Sequence, residues 1–203
     1  TIVTTTLDMA LLNSSGKFPT NGLLYAARSD TTATQPNGIQ IINASTLNAA
    51  LTVVSPVPVY LKGNYNTTAK KGAAVIGDSI NLFSNAWNNT KTSSSALPTA
   101  SNTTYNTAFM GGTVPTSGSS YSGGFENYAR MHENWSGKTL SITGSFTSLW
   151  DSQYATGGWV YGGTYYTAPT RAFSYETLYD TLSNQPPFTP QAFALRRVTW
   201  ERN

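Results

Sequence analysis

Residues 59–87 read VYLKGNYNTTAKKGAAVIGDSINLFSNAW. Glycines, a lysine pair and an aspartate stand between apolar runs, so the stretch is either a phosphate-cradling loop or a set of strands joined by a corner. A phosphate loop needs G-x-x-x-x-G-K-[ST], because backbone N–H groups and the lysine must converge on one phosphate chain. Counted from Gly63, Thr68 stands in the place of the second glycine, and Lys70 and Lys71 are followed by Gly72, which leaves no hydroxyl for a magnesium ion. The stretch therefore reads as wall and corner. VYLK and AVIG alternate as strands do, and glycine and asparagine supply the positive φ values that a tight corner needs.

The same pattern recurs outward from this stretch, in GLLYAARSD (22–30), GIQIINAST (38–46), AFMGGTV (108–114) and SITGSFTSL (141–149). The spacing is irregular, as it is in degenerate coils that tolerate long excursions at their loops. The predicted fold is mainly β, an irregular right-handed parallel β-helix (β-solenoid-like) with one or two short helices. An antiparallel β-sandwich is the alternative that the same short strands satisfy. FENYARMHENWSG (125–137) places Phe125, Tyr128, Met131, His132 and Trp135 at helical spacing, with Glu126 and Arg130 four apart. FSYETLYDTLSN (173–184) reads as a second, shorter helix. One domain over 1–203 is expected, with 1–20 as an N-terminal assembly segment and 184–203 as a C-terminal tail in which Pro186, Pro187 and Pro190 bar both helix and central strand.

Only 10% of the 203 residues are charged, against roughly 25% in an ordinary soluble chain. Twelve basic and nine acidic residues give a net charge of +3. The basic residues cluster only at Lys70–Lys71 and Arg196–Arg197, so the concentrated basic face that nucleic acid requires is missing. No run approaches the 18 or so apolar residues of a membrane span. The absence of cysteine excludes disulfides and thiolate chemistry.

His132 is the only histidine, and no G-x-S-x-G elbow accompanies it, so a nucleophilic triad is not assembled. Asp78, Glu126, Glu133 and Asp151 are the candidate acids for sugar cleavage, which needs paired carboxylates. Each has a simpler reading: Glu126 as the partner of Arg130, Glu133 as the partner of Lys138, and Asp78 as a corner residue after Gly77. No catalytic residue, metal ligand or cofactor is assigned. Trp159, Tyr161, Tyr165 and Tyr166 lie among glycines, where aromatic residues serve a subunit interface or a sugar platform.

NGLLYAA, IINASTLNAALTVVSPVPVYLKGNYNTTAKKGAAVIGDSINLFSNAW and YSGGFENYARMHENWSGKTLSITGSFTSLWDSQYATGGW resemble, in this order, the C-terminal regions of large bacterial surface proteins that carry type IV prepilin-like or PilX-like N-terminal segments. The resemblance runs over about residues 21 to 202 and includes the P-x-R at Pro169–Arg171. It implies an exported domain of a pilus-like or cell-envelope assembly, without an active site to carry over. The glycine-phenylalanine cleavage site and the polymerising helix of pilins are absent from this sequence. The expected function is a non-enzymatic extracellular structural subunit of a bacterial filament; a polysaccharide-cleaving β-helix enzyme and a carbohydrate-binding adhesin are the alternatives. Its partners would be other copies of itself or a separate helical pilin-like chain, with surface polysaccharide as a further possibility. The expected assembly residues are Ile2, Val3, Leu7, Leu11, Trp159, Tyr161, Tyr165, Tyr166, Phe193 and Trp200, because the apolar start and the alternating AFALRRVTW near the end offer strands for backbone pairing.

Overall fold

The computed structural model describes residues 1–91, 96–116, 128–159 and 165–190. Its strands are β1 (Thr4–Asp8), β2 (Leu23–Tyr25), β3 (Gly38–Ile42), β4 (Leu51–Val54), β5 (Val59–Lys62), β6 (Ala73–Gly77), β7 (Ile80–Phe83), β8 (Thr103–Gly111), β9 (Ala129–Met131), β10 (Thr139–Thr147) and β11 (Thr170–Tyr175). One α-helix, α1 (Met9–Ser14), follows β1, and two 3-10 turns cover Thr177–Asp180 and Leu182–Asn184.

The strands fall into two sheets. One has the order β1-β3-β5-β7-β9 and the other β11-β10-β8-β6-β4-β2. Every pairing between these strands is parallel. From β1 to β10 the chain changes sheet after each strand, so successive passes lay one strand on each stack. Residues of like kind then fall in register. Ile41, Leu61, Leu82 and Met131 form one row, and Val53, Val75, Phe109 and Phe146 form another. Both rows join one apolar cluster, in which each fully buried aliphatic side chain contributes about 1.5–3 kcal/mol.

The opening stretch is wall and corner here. VYLK is β5, AAVIG is β6 and INLF is β7, while Asn66 turns the chain at φ 54°. Its side-chain Nδ2 donates to the carbonyls of Lys71 and Asn106, both at 2.8 Å, and Asn106 Nδ2 donates back to the Asn66 carbonyl at 3.1 Å. Asn66 at the corner and Asn106 in β8 thus satisfy each other's backbone carbonyls across neighbouring passes. Lys70 Nζ pairs with Glu176 at 2.7 Å and ties the same corner to the C-terminal segment.

Four expectations need correction. The described strands make two separate parallel sheets and not a closed solenoid, so the right-handed β-helix is not the architecture found. Outside these two sheets, the described backbone pairing between neighbouring passes is reduced to single-residue bridges such as Thr46 to Thr68 and Asn134 to Thr167. The positive φ of Asn43, Asn66 and Ala69 keeps parts of these connections out of the extended backbone a continuous ladder requires. The antiparallel sandwich fails as well, since none of the strand pairs is antiparallel. The helix expected over 125–137 is absent from its described part: Ala129–Met131 pairs with β7, and Trp135 fills the core from the turn that follows. Residues 125–127 lie outside the described residues. Over 173–184, the first residues end β11 and the rest form the two 3-10 turns. The one described α-helix falls inside the segment 1–20.

Candidate functional site

The two ends of the strand stack are built differently. At the β1 end, Asp8 caps α1 by accepting hydrogen bonds from the backbone N–H groups of Ala10 (3.0 Å) and Leu11 (3.2 Å). The helix turns Met9 into the core, where it is fully buried, and Leu7 and Leu12 pack against the same cluster.

The opposite end has no such cover among the described residues. There β11 pairs with β10 over six residues, and it is the last strand of its sheet. Every side chain of β11 is exposed, including Phe173 at 43% and Tyr175 at 55%. A cavity of about 170 Å³ lies between β9 and β11, lined by Tyr128, Met131, Leu140, Phe146, Arg171 and Phe173.

Tyr175 also borders a groove of about 430 Å³ on the outer face of the six-stranded sheet. Its floor is Val54, Ile76 and Met110 in one row and Ala74 and Ala108 in the next. The segment 185–190 forms its wall. Thr52 Oγ1 donates to the Pro187 carbonyl and Thr189 Oγ1 to that of Pro186, both at 2.6 Å, while the Tyr179 hydroxyl donates to the Ala73 carbonyl at 2.9 Å. Phe188 is held at φ 64° and is 65% exposed on the rim. For a bulky residue that backbone costs on the order of 1–3 kcal/mol.

Two of the candidate acids, Asp78 and Glu133, are buried and bonded within the framework. Asp78 is buried, and its carboxylate accepts from the backbone N–H groups of Gln153, Tyr154 (3.1 Å) and Ala155 (2.9 Å). The loop it holds supplies carbonyls to Arg130, whose Nη2 donates to Ala155 O at 2.6 Å and whose guanidinium lies 5.5 Å from the Trp159 ring. Glu133 is fully buried and accepts from Ser84 N and Ser84 Oγ, both at 2.6 Å, so Ser84 and not Lys138 is its partner. Burial pushes the Glu133 carboxyl up, against the two bonds from Ser84. Asp151 is exposed and bridges to Thr113; Glu126 lies outside the described residues. Among the described residues no group of three or more His, Asp or Glu could hold a metal ion, and no helix is long and apolar enough to cross a membrane.

His132 is half-buried on the outer face of the five-stranded sheet, hydrogen-bonded to Asn81 Oδ1 at 2.9 Å. Burial, then the nearby charges of Arg130 and Lys91, push its pKa down to about 3. Beside it, the Phe83 and Trp87 rings stack with centroids 4.1 Å apart and planes 4° from parallel. Trp87 Nε1 donates to Asn89 Oδ1 at 2.7 Å, and the amides of Asn89 and Gln40 exchange two bonds of 3.1 Å. These residues line a cleft of about 570 Å³ whose far wall is Thr1, Ile2 and Thr4.

Of the residues expected to assemble subunits, Ile2, Val3 and Leu11 are exposed. Leu7 is half-buried against the core. Trp159 is half-buried and stacks on Tyr165 at 4.7 Å, Tyr165 is 40% exposed, and Tyr166 is buried. Tyr161, Phe193 and Trp200 lie outside the described residues. The structure thus brings Trp159 and Tyr165 together and sets Leu7 at the far end of the stack. Phe173 and Tyr175 were missed because 173–184 was read with a helical period, although the alternation of TRAFSY was there to see. Trp87 and Asn89 carry no motif; only their spacing from Phe83, in a loop that folds back, joins them.

No protein-family model, no curated protein and no solved structure matches this chain.

Proposed function

We propose that the chain is a non-enzymatic structural subunit of an extracellular bacterial filament or cell-envelope assembly, joined to further copies of itself through the β11 end. The supporting observation is the strand Thr170–Tyr175 at the last position of its sheet, whose residues are all exposed, Phe173 and Tyr175 to about half of their surface. An outermost strand offers a row of backbone donors and acceptors to any strand that approaches in register. β2 is the outermost strand of the same sheet at the other end, so a second copy placed above the first would continue the sheet in parallel. Such a head-to-tail contact uses two different surfaces and does not close on itself, which is the geometry of an open filament. The low charge favours it, because few ions need to be desolvated on association. Asp78 and Glu133 support the non-enzymatic part of the reading, since backbone and serine donors occupy their carboxylates.

The purified chain should assemble alone above a threshold concentration, as followed by light scattering and negative-stain electron microscopy. The double variant Phe173→Lys, Tyr175→Lys should stay monomeric with an unchanged melting temperature. A chain that is monomeric at every concentration and polymerises only with a separate helical subunit would overturn self-assembly. Filaments unaffected by the double variant would overturn the β11 contact.

A further inference from the structure

The outer face of the five-stranded sheet carries a second built surface, independent of the β11 end. Gln40, Tyr60, Asn81 and Arg130 occupy one cross-strand row, and all four are buried. The loop after β7 folds back over Gln40, while residues 155–159 cover Arg130. Phe83 ends β7 on this face, and Trp87 lies flat on Phe83. The loop is pinned by its polar atoms as well, through Trp87 Nε1 to Asn89 and through the paired amides of Asn89 and Gln40.

Trp87 is therefore a fixed platform. One face of its indole rests on Phe83, its Nε1 is bonded, and the ring is half-buried beside the open cleft. Rings held in this way lose little rotamer freedom when a ligand arrives, which is the main benefit of preorganisation. The remaining lining is also selective. Asn89, Thr90 and Gln40 bring amide and hydroxyl groups to the cleft, Lys91 is the one charged side chain among its described lining residues, and none of those residues is an acid. A ligand suited to this wall has an apolar ring face, equatorial hydroxyls and an anionic group within reach of an ammonium.

We infer that this cleft binds a sugar ring of an acidic polysaccharide, with the ring stacked on Trp87, hydroxyls on Asn89 and Thr90, and the sugar carboxylate on Lys91. The ligand's volume agrees, since clefts of roughly 300–1,000 Å³ hold small molecules and this one measures about 570 Å³. A charge-assisted bond between Lys91 and a carboxylate is roughly twice as strong as a neutral one. It therefore favours a uronic acid over its uncharged counterpart.

The test is calorimetric titration of the full chain with β-1,4-linked hexaglucuronate and with cellohexaose, its neutral counterpart. Binding of hexaglucuronate is expected, at least tenfold tighter than that of cellohexaose. Trp87→Ala should weaken it tenfold or more, and Lys91→Gln should bring the two sugars to equal affinity. Thr90→Trp fills the cleft from an exposed position without removing a buried contact, and it should abolish binding with an unchanged circular dichroism spectrum. Binding that survives both Trp87→Ala and Thr90→Trp, or no binding of either sugar, overturns the site. Equal affinity of the native chain for both sugars overturns the role given to Lys91. Because Phe173 and Tyr175 lie on the other sheet, loss of filaments in their variants leaves this result untouched.

Discussion

The β1 end of the stack and the β11 end face the same physical problem with opposite results. Both expose the last strands of parallel sheets. At the β1 end a short helix folds over the core and buries Met9. At the β11 end the last strand keeps all six side chains in solvent, beside a cavity that reaches Leu140 and Met131. The cover at the β1 end lies over the core and leaves β2 as the outermost strand of the six-stranded sheet there, so among the described residues the two ends differ in what they bury and not in whether a strand edge is offered.

The largest expected effect breaks the seal. Met9→Ala removes a fully buried side chain from the core cluster and should lower unfolding stability by about 2–5 kcal/mol in urea denaturation. Leu11→Ala, on the face of α1 turned away from Met9 and 68% exposed, should change it by less than about 0.5 kcal/mol. Equal losses in the two variants would mean that α1 covers nothing.

The next effect sharpens the description of the open end. Asp78→Asn puts an amide N–H₂ where the carboxylate now accepts backbone bonds from residues 153–155. A buried donor then meets a buried donor, at a cost of about 1–3 kcal/mol. Because the same loop supplies the carbonyls that hold Arg130 on β9, hydrogen exchange should quicken at residues 129–131 and 153–157 while β1 and β3 keep their protection. Uniform loss of protection along the chain would show that the two ends unfold as one unit and that the comparison has no energetic content.

Strand positions were legible in the sequence and their closure was not. The alternation in VYLK, AVIG and SITG reports burial on one face, which a sheet of any topology satisfies. What decides between two stacked sheets and a closed coil is the conformation of the connections, and Asn43 and Asn66, both at positive φ, are bonded to residues on neighbouring passes. Tyr128, Met131 and Trp135 misled for the same reason. Their spacing fits a helix, but a strand followed by a turn carries all three into the core, and the parallel ladder with β7 prevails over the local period. The aromatic cleft was illegible because Gln40 and Asn89 are 49 residues apart and meet only after two more passes have formed. Asp78 stands at the expected corner between β6 and β7, but the backbone donors at 153–155 that it holds carry no sequence signal, and Ser84 replaces the lysine expected as the partner of Glu133.

The smallest effect concerns acid, and it too belongs to the β9 side of the molecule. His132 follows β9 directly, and its pKa is lowered to about 3, first by burial and then by Arg130 and Lys91. The folded chain therefore binds this proton less readily than the unfolded chain, whose histidine titrates near its ordinary value of about 6.5. Stability from the neutral ring is complete above that value and falls as pH drops toward 3, by at most about 1.4 kcal/mol for each pH unit, and by less where solvent screens a half-buried ring. Glu133 acts in the opposite sense. Its carboxyl is raised by burial, so the folded state holds that proton more tightly, and its contribution is present at low pH and lost as pH rises through the raised value. Glu133 titrates in the native chain and in a variant without the histidine alike, so the difference between the two isolates the histidine effect from about pH 6.5 down to 5. In urea titrations across that window, His132→Gln, which keeps a hydrogen bond to Asn81 within reach and cannot take up the proton, should flatten the decline seen in the native chain. A decline of equal slope in the variant would place the acid sensitivity elsewhere and leave the β9 side no more vulnerable to protonation than the sealed end.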